Sequence, residues 1–365
     1  MTRLVNLCVL AGLGIGIGMH VCPGEVALAT EGLSLQELLN RIEHADGPTE
    51  RLRAAEEIAR FGGLAVPGLC GLLRHEDQRV QSHACLALIR MGPAAERAIP
   101  QLSRMACDPR AWTREDAIFA LGQVGPAANP AVPILGGVLQ VEDRRLRKRA
   151  IQALAAIRTP DALRTLAAPL HGDDSELKMQ LLRVFQELGP SAAVVRPNLL
   201  DAALTESDRL VCDELYLTLG TLGDAILDDL LALFEHSSKT SSDAYSEASA
   251  AVTAKRSSIA SHADIRRRVV MSLCRMGHAA GMAVPTLHRA LEDPDATVRF
   301  WAARALCESG ASDSTTRTAL MRALTDADAD VRWGAARALR NIEFRDNSAN
   351  SCNDNRSALV ARKEL

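Results

Sequence analysis

Metal and redox chemistry have little to work with in this sequence. Seven of its nine cysteines lie beyond residue 29, and no CxxC pair occurs, so neither a zinc site nor a disulfide framework is signalled. His75-Glu76 is the one adjacent His-Glu pair, and HExxH is absent, so no metal ligand is expected. No catalytic set and no cofactor site can be picked out either. Charge of one sign is also missing: a net charge of −3 gives no general attraction to nucleic acid. After residue 29 nothing approaches the roughly 18 unbroken apolar residues of a membrane-spanning helix. Aromatic rings make up only 3% of the chain, so any ring at a surface position stands out.

What the sequence has is repetition. One helical pattern is written nine times, most clearly as Val298-Arg299-Phe300-Trp301-Ala302-Ala303-Arg304-Ala305-Leu306. Taking the first residue as position 0, the copies begin at Glu50, Val80, Thr113, Leu146, Leu177, Val211, Ile265, Val298 and Val331. Apart from one gap of 54, the spacing stays between 30 and 34 residues, the signature of a solenoid. Position +4 is apolar in every copy (Ala54, Ala84, Ala117, Ala150, Leu181, Leu215, Val269, Ala302, Ala335), and so is position +8 (Ile58, Leu88, Leu121, Leu154, Phe185, Leu219, Leu273, Leu306, Leu339). In a chain that is 47% hydrophobic, chance fills only about half of those places. Offsets of 0, 4 and 8 keep one stripe of a helix inward, and small residues at +4 allow a close neighbour.

At +12 stands glycine in seven copies (Gly62, Gly92, Gly125, Gly189, Gly223, Gly277, Gly310), where a left-handed residue ends a helix without a Cβ clash. A second apolar stretch follows, opened by Ile99-Pro100, Val132-Pro133, Arg196-Pro197 or Val284-Pro285. Each unit therefore reads helix, turn, helix. Aspartate at −3 (Asp77, Asp143, Asp174, Asp208, Asp295, Asp328) fits an N-cap. Arginine at +1 (Arg51, Arg114, Arg147, Arg266, Arg299, Arg332) is expected to form a ladder to neighbouring aspartates.

These residues together resemble the HEAT-repeat family, in the short form of about 30 to 33 residues known from bilin-lyase-like HEAT proteins. The resemblance covers roughly residues 46 to 343 and implies an all-α, right-handed α-solenoid of about nine helix pairs. It is nearly silent on function. Ankyrin and tetratricopeptide repeats have similar periods, but their motifs do not recur here.

Residues 1–29 read as an export signal: Arg3, an apolar run from Leu4 to Met19, then Ala27-Leu28-Ala29 as a cleavage site. Retention of that segment as an anchor is the alternative. Residues 30–46 are expected to form an N-terminal capping helix, with Ser34 and Glu37 as a capping box. Repeats one to six occupy 47–235, and repeats seven to nine occupy 264–343. Between them, 236–263 reads as a Ser-rich flexible insertion, and the polar tail 344–365 as disordered.

The candidate surface combines rare aromatics with arginine. Phe300 and Trp333 both stand at +2, rotated away from the core stripe, with Trp301 adjacent and Arg304 and Arg337 at +6. Exposed rings beside arginines have the composition of a binding hot spot. On the second helices, expected to line the concave face, the candidates are Arg97, Gln101 and Arg104 in repeat two and Met282, Thr286 and Arg289 in repeat seven. The functional expectation is an exported, non-enzymatic scaffold for protein–protein interaction. One alternative is a bilin-lyase-like enzyme or chaperone acting on tetrapyrrole-bearing proteins, a cytoplasmic role that the export signal opposes. Another is a nucleic-acid binder using Arg144, Arg145, Arg147, Lys148 and Arg149 with Arg266, Arg267 and Arg268.

Overall fold

The computed structural model describes residues 33–109, 112–238 and 261–361, with side chains through Arg345. The expected export signal and the middle of the expected insertion lie outside the described residues. Within them the chain is an all-α solenoid. Its helices are α1 (Leu35–His44), α2 (Pro48–Ile58), α3 (Val66–Leu72), α4 (Gln78–Met91), α5 (Ile99–Cys107), α6 (Arg114–Val124), α7 (Val132–Val138), α8 (Arg144–Ile157) and α9 (Pro160–Ala167). They continue as α10 (Ser175–Leu188), α11 (Arg196–Thr205), α12 (Arg209–Gly220), α13 (Leu227–Ser238), α14 (His262–Met276), α15 (Val284–Ala290), α16 (Ala296–Ser309), α17 (Ser314–Ala323) and α18 (Ala329–Ala361).

The even-numbered helices from α2 to α18 are the nine copies of the repeated pattern. All nine +4 residues are buried, and eight of the nine at +8 are buried, Leu339 alone being half-buried. Asp77, Asp143, Asp174, Asp208 and Asp295 each accept a backbone N–H from the first turn of their helix. Asp328 does the same toward Asp330 and Val331. Counted from the preceding helix, the elements form nine pairs, α1 with α2 through α17 with α18. The Ser34 capping box of α1 is present, and α1 packs against α2.

The arginine ladder holds for four of its six rungs. Arg51 and Arg147 reach the caps of the next repeat, Asp77 at 3.4 Å and Asp174 at 2.8 Å. Arg266 and Arg299 grip Asp293 and Asp326 with two nitrogens each, and those carboxylates sit two residues ahead of the cap aspartates. Arg114 and Arg332 instead donate to backbone carbonyls beside their own helix, at Ala106, Asp326 and Ala327.

Position +12 ends the helices as the pattern requires. All seven glycines there have positive φ, and in repeat four, which has no glycine, Arg158 takes the left-handed turn at φ 56°. Repeat nine has Glu343 at +12 and turns nowhere. Its helix α18 runs on for 33 residues to Ala361, which corrects the expected disordered tail: the stretch is polar, but it contains no Gly or Pro to stop it.

The two rows differ in spacing. A Cβ on Gly122 of α6 would stand 2.8 Å from the Ala153 Cα of α8, and one on Gly220 of α12 would stand 2.5 Å from the Ser272 carbonyl of α14. Backbones in this row touch. In the other row Gly71 and Gly137 have open space where a Cβ would be, and a Cβ on Gly68 or Gly136 would meet only side chains, Leu39 at 2.5 Å and Thr165 at 2.8 Å, not a neighbouring backbone. A stack bends toward its tighter row, so the even-numbered helices form the inner side. Arg97, Gln101 and Arg104, expected on the concave face, therefore lie on the outer side; the small residues at +4 and +9 that close up the inner row are the physical reason.

The insertion does not break the stack. α12 packs directly on α14, with Asp213 accepting from Arg267 at 3.0 Å and Arg268 at 2.7 Å, and the Ser272 hydroxyl donating to the Tyr216 carbonyl at 2.5 Å. The segment Arg114–Val138 is apolar enough to pass for a membrane span, but Gly125-Pro126 divides it into α6 and α7 inside the core.

Candidate functional surface

Neighbouring inner helices meet in a fixed register. Position +2 of one helix faces +3 of the next: Ser82 donates to Asp116 at 2.9 Å, Arg149 to Glu115 at 2.7 Å and Arg268 to Asp213 at 2.7 Å. Lower on the helix, +9 faces +7 or +10, as with Gly122 against Ala153 and Asn341 donating to the Cys307 sulfur at 2.9 Å. Each helix thus presents +2, +6 and +9 forward along the stack.

That register separates the two candidate aromatics. Phe300 points at α18, where position +3 is Gly334; its ring edge is 3.4 Å from where a Cβ would stand. It is half-buried and meets Trp301 edge-on at 5.5 Å between centroids. The expectation of an exposed Phe300 is therefore corrected, because a following helix covers it. Trp333 occupies the same position one repeat later and is 52% exposed. Arg304 lies over the Trp301 ring at 5.1 Å and Arg337 over the Trp333 ring at 5.5 Å, so two stacked cation–π pairs stand on adjacent inner helices. Both arginines are solvent-exposed.

Arg97, Gln101 and Arg104 do converge. With Arg74, Cys70, Val66, Pro67 and Pro100 they line a groove of about 300 Å³ between α3 and α5. The Gln101 side-chain oxygen accepts from Arg74 at 3.4 Å and from Arg104 at 3.3 Å. Met282, Thr286 and Arg289 do not form a comparable set: Met282 is exposed, Thr286 is buried, and Arg289 pairs with Glu235 and Thr286.

Sequence reasoning missed Arg74, Arg340 and Trp112. Trp112 is 81% exposed just ahead of α6; its rarity was the signal, but its place outside the apolar stripe went unused. Of the eight residues in the two basic clusters, six are tied to carboxylates: Arg144 to Glu176, Arg147 to Asp174, Arg149 to Glu115, Arg266 to Asp293, and Arg267 and Arg268 to Asp213. Among the described residues no three His, Cys, Asp or Glu side chains gather as metal ligands. His75 instead accepts the Asp77 amide at 2.9 Å in a turn. Cys274 and Cys307, in the same register, are buried free thiols, and burial pushes Cys274 up to about 11.

A family model described as HEAT repeats matches residues 35–122, 102–186 and 253–340, more than half of the chain. No curated protein sequence matches it. Among solved structures, an engineered protein from the Northeast Structural Genomics Consortium is similar at 20% identity, over 85% of this chain and 98% of that one, with a TM-score of 0.36. With the register, caps and helix pairs described above, the matched regions place this chain in the HEAT-repeat family.

Proposed function

We propose that the protein is an exported, non-enzymatic scaffold that holds a polypeptide partner against the inner helices of its last repeats. The observation that carries this reading is the pair of arginine–tryptophan stacks, Arg304 over the half-buried Trp301 and Arg337 over the exposed Trp333, with both arginines exposed. Tryptophan and arginine are the residues most enriched where binding energy concentrates, and HEAT repeats commonly serve protein interaction through the extended surface of a stack. The carboxylate partners of the basic clusters leave little free positive charge for a phosphate backbone, which disfavours the nucleic-acid reading. Export rests on Arg3, the apolar run and Ala27-Leu28-Ala29.

Chemical cross-linking of the mature protein in an extract of its source, followed by mass spectrometry, tests the scaffold reading. Partner peptides linked near α16 and α18 are expected, and their yield should fall in a Trp301→Ala, Arg304→Ala variant. If nothing is retained, or all links map away from this face in repeated experiments, the reading fails.

A further inference from the structure

Between successive outer helices the later half of the stack closes its gaps with ion pairs. His171, just beyond α9, meets Asp201 of α11, and Arg196 of α11 meets Asp229 of α13. Glu235 of α13 meets Arg289 of α15, and Glu292, just beyond α15, meets Arg322 of α17. The gap between α3 and α5 departs from this. Arg74, Arg97 and Arg104, all exposed, stand around one groove of about 300 Å³, and none of them has an ion-pair partner among the described residues. The nearby carboxylates do not serve them. Glu43 goes to His75 and Asp77 to Arg51, while Glu76 and Glu96 form no ion pair with any described residue.

Inside the groove a neutral group stands where a charged one would be expected. The Gln101 side-chain oxygen accepts from Arg74 Nε at 3.4 Å and from Arg104 Nη1 at 3.3 Å, so two guanidinium groups meet at one amide oxygen. An amide supplies only a dipole there, and three like charges around one groove repel one another. A carboxylate or phosphoryl oxygen in the same place would make shorter, charge-assisted hydrogen bonds.

We propose that this groove binds a small organic polyanion, whose carboxylate or phosphoryl oxygens supply the negative charge that the other outer gaps draw from Asp and Glu. Its volume lies at the lower end of the range for small-molecule pockets and is too small to seat a helix. Val66, Pro67 and Pro100 give it apolar surface for the carbon body of such a ligand, and the guanidinium forks suit two-oxygen groups. The site is separate from the inner face of the last repeats and does not rest on the scaffold reading.

Isothermal titration calorimetry on the full chain at fixed ionic strength tests this, with propane-1,2,3-tricarboxylate and methylenediphosphonate as probes and acetate as control. At least one probe should bind at least about tenfold tighter than acetate, and the tighter of the two tells carboxylate from phosphoryl chemistry. Arg97→Gln with Arg104→Gln should weaken that binding by about tenfold or more with little change in the urea midpoint, since both side chains are exposed. Gln101→Glu would place a carboxylate between Arg74 and Arg104, so it should weaken binding and raise the urea midpoint; it also keeps the test open should the double variant fail to fold. Arg79→Gln with Arg145→Gln, at exposed arginines outside the groove, should leave the affinity unchanged. Absence of saturable binding by either probe overturns the proposal, as does binding that persists in both groove variants or falls equally in the Arg79 and Arg145 control. Binding of a hexaglutamate peptide without binding of either small probe would mark a polypeptide site and also overturns it.

Discussion

Repeats eight and nine carry nearly the same sequence and meet different surroundings. Both put a large ring at +2 and arginine at +6. In repeat eight the ring is half-buried because α18 lies in front of it with Gly334; in repeat nine the ring is exposed because no described helix follows. The same contrast reaches the core stripe: Leu306 is fully buried at +8, whereas Leu339 is only half-buried. Exposure in a solenoid is thus set by two coordinates, the position within the helix and the place of the repeat in the stack. A sequence pattern read one repeat at a time gives only the first coordinate.

The largest expected effect is on the stripe that both regions share. Leu121→Ala in the middle of the stack should cost about 2 to 5 kcal/mol, through lost burial and the cavity left behind. Leu339→Ala should cost clearly less, and urea melts of the two variants measure the difference. If the losses are equal, the end repeat is as enclosed as the middle. A smaller effect is expected at +9. Gly122→Ala would force a Cβ to within 2.8 Å of the Ala153 backbone and should cost about 1 to 3 kcal/mol by overpacking. Arg340→Ala, at the same position in the last repeat, should fall within about 0.5 kcal/mol of the parent.

Acid should loosen the caps at Asp77, Asp174 and Asp295 and the arginine rung at Asp326. Backbone N–H donors hold Asp77 and Asp174 below the usual carboxylate range, the Thr297 hydroxyl does so for Asp295, and the Arg299 guanidinium for Asp326. A folded-state pKa below the unfolded value of 3.8 means that the stabilisation is present at neutral pH and is lost as pH falls through and below that value. The urea midpoint should therefore drop between about pH 4 and pH 2, and Asp77→Asn with Asp326→Asn should flatten that drop. The smallest effect is expected at Arg158, the left-handed residue without a glycine. Arg158→Gly should raise stability by up to about 1 kcal/mol, whereas Gly125→Ala at the equivalent turn should lower it.

Much of this was readable in the sequence because repetition multiplies a weak signal. Asp77 or Gly92 alone is an ordinary cap or turn residue, but nine aligned copies fixed the caps, the buried +4 and +8 positions and the helix ends. The convergence of Arg97, Gln101 and Arg104 followed from their helical spacing, although Arg97 stands in the 3-10 turn just ahead of α5. Which row of helices lies inside did not follow, because it depends on the backbone approach at Gly122 and Gly220. Phe300 was misplaced for a related reason: its cover is Gly334, a residue with no side chain to advertise the contact. The continuation of α18 was hidden behind polar composition, although the missing glycine at +12, Glu343, was its sign.

The central claim is that place in the stack decides what a shared position does. Equilibrium urea unfolding of Phe300→Ala and of Trp333→Ala tests it most directly. The account predicts that Phe300→Ala lowers stability by about 1 to 2 kcal/mol, as expected for a partly buried ring, and that Trp333→Ala changes it by less than about 0.5 kcal/mol. Equal losses in the two variants would contradict it, as would a larger loss for Trp333→Ala.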